Sequence, residues 1–225
     1  MARIARVVAE GLPHHITQRG NRRQEIFFSD DDYAAYIDLM AEWCRKYEVD
    51  IWAYCLMPNH VHFVAVPESE DGLASMFGVV HHRYSMYANS KNGWRGHLWQ
   101  ERFYSSVMDE AHLVAAVRYI ELNPVRAGLC SCAEHWRWSS VHAHLTGAPD
   151  MLVATTPMLQ RVSDWRKFLV ETGAKEQEEE LWRQTKTGRP AGDKDFVRKL
   201  EELTGKRLGQ RKPGPKSKEL GSLSP

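Results

Sequence analysis

The sequence predicts an α+β fold, an antiparallel sheet with helices on one face, followed by a helical and basic C-terminal extension. Three observations carry that expectation. Apolar residues alternate between strand spacing and helical spacing in the order strand, helix, strand, strand, helix, strand, helix. The second and third strands are separated only by the turn signal Pro58-Asn59. After Thr146-Gly-Ala-Pro149 the alternation stops and charged helical stretches take over.

Each element has a local reason. His14-His-Ile-Thr-Gln-Arg19 reads as a first strand, closed by Gly20-Asn21. Asp30-Asp-Asp32 starts a helix, because Asp suits the cap and first turn. Tyr33, Tyr36, Ile37, Met40 and Trp43 or Cys44 give that helix one apolar stripe. Strands over 49–56 and 59–66 form a hairpin around Pro58-Asn59. A second helix runs from Gly72 to about Asn89 and is broken by Asn92-Gly93. The aromatic-rich stretch 98–108 is a further strand region. Asp109 caps a helix to Leu122, and Pro124 limits how far it continues undisturbed. This order is the ferredoxin-like (RRM-like) split βαβ arrangement. It leaves one face of the sheet available. Two regions follow, residues 1–148 and a helical, basic region 149–225 with Trp165, Phe168 and Leu169 in its first helix and a flexible tail.

The chain has 225 residues, 43% hydrophobic and 26% charged, which fits a soluble globular protein. A net charge of +1 excludes a polycation, but the average hides a patch. Between Arg183 and Lys218 stand twelve Lys or Arg against four Asp or Glu. The N-terminal stretch adds Arg3, Arg6, Arg19, Arg22 and Arg23. That asymmetry suggests a polyanionic partner; solvated lysines on a mobile tail are the plainer reading. Cys44, Cys55, Cys130 and Cys132 lack zinc-finger spacing and read as reduced thiols. With no apolar signal core and no bilayer-length apolar run, a cytoplasmic location away from membranes is expected.

His60-Val61-His62 carries the first chemical signal. Two residues apart on a strand, both imidazoles face one side and Val61 faces the other. Such a pair can hold a metal ion, although many unrelated sites use it. Tyr119 and Asn123 are four apart on the last helix and share a face. Asn123 offers a carbonyl oxygen to a hard divalent cation. Tyr119 offers a phenol that can attack phosphorus and become covalently attached. Alone, Tyr119 reads first as a helix tyrosine packed on a core, and Asn123 before Pro124 as a cap or turn residue. Together with the histidines they suit phosphodiester cleavage.

The residues then resemble a family. Asn59-His-Val-His-Phe-Val64 resembles the HUH motif, in which U is a bulky apolar residue. Arg118-Tyr-Ile-Glu-Leu-Asn-Pro-Val-Arg-Ala-Gly128 is similar to the tyrosine helix of single-tyrosine HUH transposases, the insertion-sequence 200/605-like group. His15-Ile-Thr-Gln-Arg-Gly-Asn21, Trp99-Gln-Glu-Arg-Phe103 and Trp136-Arg-Trp-Ser-Ser140 are similar to segments of the REP-associated tyrosine transposases. The resemblance covers roughly residues 10–148.

It implies an HUH endonuclease fold and a metal-dependent enzyme that cleaves and rejoins single-stranded DNA bearing hairpin-forming, REP-like palindromes. Tyr119 would attack to leave a 5′-phosphotyrosine and a free 3′-hydroxyl. His60 and His62 carry over as metal ligands, and Asn123 as the third, where some relatives have Gln. The metal would be Mg²⁺ or Mn²⁺, although imidazoles also tolerate zinc. Glu121 departs from the pattern, standing where relatives often carry His and facing away from Tyr119. A mobile, dimeric insertion-sequence transposase and a domesticated DNA-binding regulator with an idle nuclease remain alternatives. The long extension and Asn123 favour a monomer over a homodimer, associated with the bacterial nucleoid.

DNA contacts are expected from Arg19, Arg22 and Arg23 on phosphates. Arg102 and Phe103, with Tyr104, combine charge with stacking on unpaired bases, unless one side of that strand is buried. Arg189, Arg211 and Lys212 sit in extended basic segments suited to a groove. Other candidates fit less well. His142-Ala-His144 lacks strand alternation and reads as surface or structural. His14-His15 and His81-His82 are adjacent pairs whose side chains diverge. Tyr84 and Tyr87 read as packing residues, and neither they nor Tyr104 share the Tyr119–Asn123 geometry.

Overall fold

The computed structural model describes residues 6–171 and 175–209. Strand β1 (His14–Arg19) is followed by helix α1 (Asp30–Lys46), then by β2 (Val49–Met57), β3 (His60–Pro67), α2 (Gly72–Asn92), β4 (Tyr104–Val107) and α3 (Glu110–Arg126). The sheet order is β2-β3-β1-β4, and its paired neighbours are antiparallel. That is the expected split βαβ topology. Four shorter or peripheral helices follow: α4 (Val141–Thr146), α5 (Thr156–Leu159), α6 (Trp165–Val170) and α7 (Lys175–Thr187), with α8 (Lys194–Thr204) last.

One face of the sheet packs on α1 and α2. Ile16, Tyr54, Val61, Phe63 and Ala65 meet Tyr36 and Met40 of α1 and Leu73, Phe77 and Val80 of α2. The predicted stripe of α1 is the buried one. Its start is fixed by a capping box between Ser29 and Asp32. Asp32 also accepts from the Phe28 and Ser29 amides and pairs with Lys91 at 2.6 Å, so α1 and α2 are tied at one end.

The second face is covered as well, which corrects the expectation of helices on one side only. Ala53, Cys55, Met57 and Val64 pack under Leu113, Ala116, Val117 and Ile120 of α3, with Trp165 and Phe168 of α6 and Leu181 of α7. The physical reason is visible in the strands. The runs of β2 and β3 are apolar at nearly every position rather than at every second one, and such a strand needs cover on both sides. Helix α3 and the C-terminal extension supply it together. The extension also helps close both sheet edges, which would otherwise be open templates for pairing. Ala154 N–H donates to Ile51 O at 2.8 Å beside β2, and Ala191 N–H donates to Val107 O at 2.8 Å beside β4. Helix α8 then seals the β4 edge, with Leu200 and Leu208 against Val7, Ala9 and Val107.

Two boundaries differ from expectation. The strand expected over 98–108 is regular only at Tyr104–Val107, because residues 98–103 fold back over β1 through Gln100 N–H to Arg19 O at 2.8 Å. Helix α3 runs through Pro124 to Arg126 instead of ending at Leu122. A mid-helix proline removes one backbone bond and costs about 3 kcal/mol. The turn is kept because Ala127 N–H still reaches Asn123 O and Leu129 N–H reaches Pro124 O, at 2.9 Å each, while Ile120 and Val117 stay in the core.

Candidate active site

The His-x-His strand lies in the middle of the sheet, so its side chains are placed by two neighbours. His60 is opposite Arg19 of β1 and Met57 of β2, and His62 is opposite Thr17 and Cys55. Both imidazoles point to the face roofed by α3, while Val61 and Phe63 enter the other core. The rings are 4.9 Å apart between centroids and nearly perpendicular.

Helix α3 crosses above them because its apolar stripe sits on β2 and β3. This brings the Tyr119 ring edge-on to His62, 5.7 Å between centroids. Tyr119, expected from sequence as nucleophile, is thereby placed beside the expected metal pair. The Arg126 guanidinium lies 5.1 Å from the centre of the Tyr119 ring. Sequence reasoning passed over Arg126, although it follows Tyr119 by seven residues and so shares its helical face. Asn123, one turn past Tyr119, is buried, and its Nδ2 has no hydrogen-bond partner among the described residues.

Both imidazoles are held neutral by their surroundings. Burial lowers His60 to about 4, with Arg19 adding to the shift, and lowers His62 further, with His60, His15 and Arg19 adding to burial. Both rings are therefore neutral at pH 7 and carry a lone pair. Asn59 Nδ2 donates to Arg23 O at 3.2 Å, so its Oδ1 is the acceptor facing His60 Nδ1 at 2.5 Å. His60 Nδ1 then carries the proton and Nε2 the lone pair. His62 Nδ1 is engaged by His15 Nε2 at 3.1 Å. A ligating histidine held through its other nitrogen is the usual arrangement at metal sites. Among the described residues no three His, Cys, Asp or Glu side chains converge as a cluster. Among those residues, a third ligand beside this pair would come from another kind of donor, such as an amide oxygen. Asn123 fits, since its unsatisfied Nδ2 and its Oδ1 exchange places on a simple amide flip.

The basic residues divide. Arg19 and Arg23 line a cleft of about 280 Å³ with Thr17, Gln100, Tyr104 and Lys186 of α7, on the histidine face. Arg22 and Arg23 both hold positive φ, at 55° and 63°, in the turn after β1. Non-glycine residues there cost of order 1–3 kcal/mol each and gather at functional loops. Arg102 is exposed on the far side, lining a different cavity beside α2. Phe103 is not open to a base. It is 6% exposed, packed on Phe77, with the Arg6 guanidinium 3.5 Å from its ring centre. The period-2 pattern of β4 already turned Phe103 away from Tyr104 and towards the core. The Arg189 guanidinium donates to Leu208 O at 2.8 Å and so ties the stretch before α8 to the one after it. Arg211 and Lys212 lie outside the described residues.

The remaining polar candidates are structural. His144 is buried and bonds Glu121 at 2.6 Å; Ser140 and the Trp165 indole also donate to that carboxylate, at 2.7 and 2.8 Å. Glu121 thus ties α3 to α4 and α6 on the side opposite Tyr119. The Tyr84 hydroxyl donates to Ile26 O, and Tyr87 to Asp32.

The fold has counterparts. The family model described as "Transposase IS200 like" matches residues 9–123, from before β1 through Asn123. The chain belongs to the IS200-like transposase family. A REP-associated tyrosine transposase of Escherichia coli is 23% identical over 123 residues, which is 54% of this chain and 71% of that protein. A Haemophilus influenzae protein provisionally given the same name is 26% identical over 110 residues, or 44% of this chain and 62% of its own length. The chain thus spans less than two thirds of the latter. Among solved structures, a REP-associated tyrosine transposase bound to a REP hairpin shares the fold with a TM-score of 0.55 at 22% identity, covering 68% of this chain and 92% of that one. The family match stops at Asn123, so α4–α8 stand outside it.

Proposed function

We propose that this IS200-like chain cleaves and rejoins single-stranded DNA at hairpin-forming, REP-like palindromes through a covalent tyrosine intermediate. The observation that carries the reading is Tyr119 set edge-on against His62 at 5.7 Å, on a helix that also presents Asn123 and Arg126. Tyr119 Oη attacks phosphorus as the bond from phosphorus to the 3′ oxygen breaks. The product is a 5′-phosphotyrosine and a free 3′-hydroxyl, with the phenol's proton balanced by the one the 3′ oxygen gains. A phenol is a better leaving group than an alkoxide, so the reverse attack by a 3′-hydroxyl rejoins DNA without an external energy source.

His60, His62 and Asn123 would hold a divalent ion, Mg²⁺ or Mn²⁺, which when bound neutralises charge on the phosphate. Arg126 lies over the Tyr119 ring, where its guanidinium can donate to a phosphate brought to that tyrosine. Arg19 and Arg23 hold the strand's phosphates along the cleft beside the histidines. Residues 1–148 carry the reacting groups, and the described helices of the extension help roof the sheet. A monomer that acts in the cytoplasm on the nucleoid suits a chain whose own segments close both sheet edges.

The test is incubation of the full chain with a labelled hairpin oligonucleotide and Mn²⁺, followed by denaturing electrophoresis. A labelled protein band is expected, absent in Tyr119→Phe, which should still bind the oligonucleotide. A covalent band that survives in Tyr119→Phe would remove Tyr119 as nucleophile, and Mn²⁺-dependent cleavage unchanged in His60→Ala would remove the metal pair.

A further inference from the structure

The Thr185 hydroxyl of α7 donates to Leu181 O at 2.8 Å, one turn back on its own helix. A hydroxyl has one proton. Towards its other partner, His15 Nδ1 at 2.8 Å, Thr185 can therefore only accept. His15 Nδ1 carries the proton, and in a neutral ring Nε2 then carries the lone pair. That lone pair faces His62 Nδ1 at 3.1 Å. The two ring planes are within 3° and their centroids 5.4 Å apart, which equals the N···N distance plus the two centre-to-nitrogen radii. The rings therefore meet edge to edge in one plane, the geometry in which an N–H points along a neighbour's lone pair. All three side chains are fully buried, so water has no access to reverse the order.

We propose that Thr185 and His15 are positioning residues that fix His62 as its Nδ1–H tautomer and so aim the bare Nε2 at the metal position. The polarity runs one way, from the Leu181 carbonyl through Thr185 and His15 to His62. It makes the C-terminal extension part of the active site, although α7 stands outside the family-matched segment. His14 does not take part, because neighbours on a strand diverge: its ring bonds Leu12 O and the Ala9 amide on the other side. Burial holds His15 neutral, near 3, in keeping with a ring that only relays hydrogen-bond polarity. The metal-binding role of His62 rests on the function proposed above; the tautomer does not.

Thr185→Val keeps the shape of the side chain and removes the acceptor. His15 then loses the partner for its Nδ1–H, and the favoured order inverts, with His15 donating from Nε2 and His62 accepting at Nδ1. Long-range ¹H–¹⁵N NMR of the metal-free full chain reads both tautomers directly. Wild type and Thr185→Ser should show His62 protonated at Nδ1, and Thr185→Val should show it protonated at Nε2. Mn²⁺ titration without DNA should show Thr185→Val weakened by about 10- to 100-fold, the usual cost of losing a partner behind a metal ligand, with Thr185→Ser restoring affinity. Wild-type His62 protonated at Nε2 overturns the proposal, as does Mn²⁺ affinity unchanged in Thr185→Val or lowered equally in Thr185→Ser. If the tautomers follow this pattern but no covalent DNA product forms, the proposed reaction fails and the relay stands.

Discussion

Lowering the pH from 7 to 5 should strongly destabilise this protein through its buried histidines. His14, His15 and His81 lie inside the fold, and burial lowers them to about 4, 3 and 3. Each neutral ring is committed to a partner. His14 accepts from the Ala9 amide, His15 donates to Thr185, and His81 Nε2 meets the Tyr36 hydroxyl at 3.0 Å. The unfolded chain takes up these protons below about pH 6.5. The folded chain does not until it nears the lowered values. Stability is therefore complete above pH 6.5 and lost progressively as the pH falls towards 3. At pH 5 each ring costs about 2 kcal/mol, from about 1.5 pH units at roughly 1.4 kcal/mol each. Three rings cost about 6 kcal/mol, comparable with the roughly 5–15 kcal/mol that holds a domain together. Urea denaturation followed by tryptophan fluorescence, in chelator at pH 7, 6 and 5, measures the loss. His81→Gln should reduce it by about 2 kcal/mol, since that side chain does not titrate. A denaturation free energy that falls by less than about 1 kcal/mol between pH 7 and 5 would refute the reasoning, because the rings would then be charged in the native state.

Two further outcomes follow from packing. Glu121→Ala leaves the Ser140, His144 and Trp165 donors buried without their acceptor, and should cost about 3–5 kcal/mol in chemical denaturation. Gly20→Ala would put a Cβ 2.3 Å from Gln24 O and 2.8 Å from Ile26 Cγ2. The loop it displaces is bonded to Pro58 and Asn59 beside His60, so a loss of about 1–3 kcal/mol, seen as a lower Tm, should come with weaker Mn²⁺ binding.

Much of the site was legible in one dimension because its parts obey short-range geometry. A period of two puts His60 and His62 on one side of a strand, and a period of 3.6 puts Tyr119 and Asn123 on one side of a helix. Arg126 obeyed the same rule and was passed over. His15 was set aside as half of an adjacent pair whose side chains diverge. They do diverge, but that argument concerned His14 and His15 sharing an ion, not what each ring meets alone. Phe103 was named for stacking on charge and aromatic content, while the alternation that buries it was equally readable.

The sequence by itself determined the strand and helix order, the split βαβ topology and which residues share each face, because these depend on periodicity and caps within a few residues. Tertiary structure alone decided that both faces of the sheet are roofed, that α7 reaches β1, and that Thr185 meets His15 across 170 positions of chain. Such contacts depend on which apolar faces find each other once the sheet has formed. No local spacing encodes them, and the polarity of a buried hydrogen-bond chain exists only when all its members have been brought together.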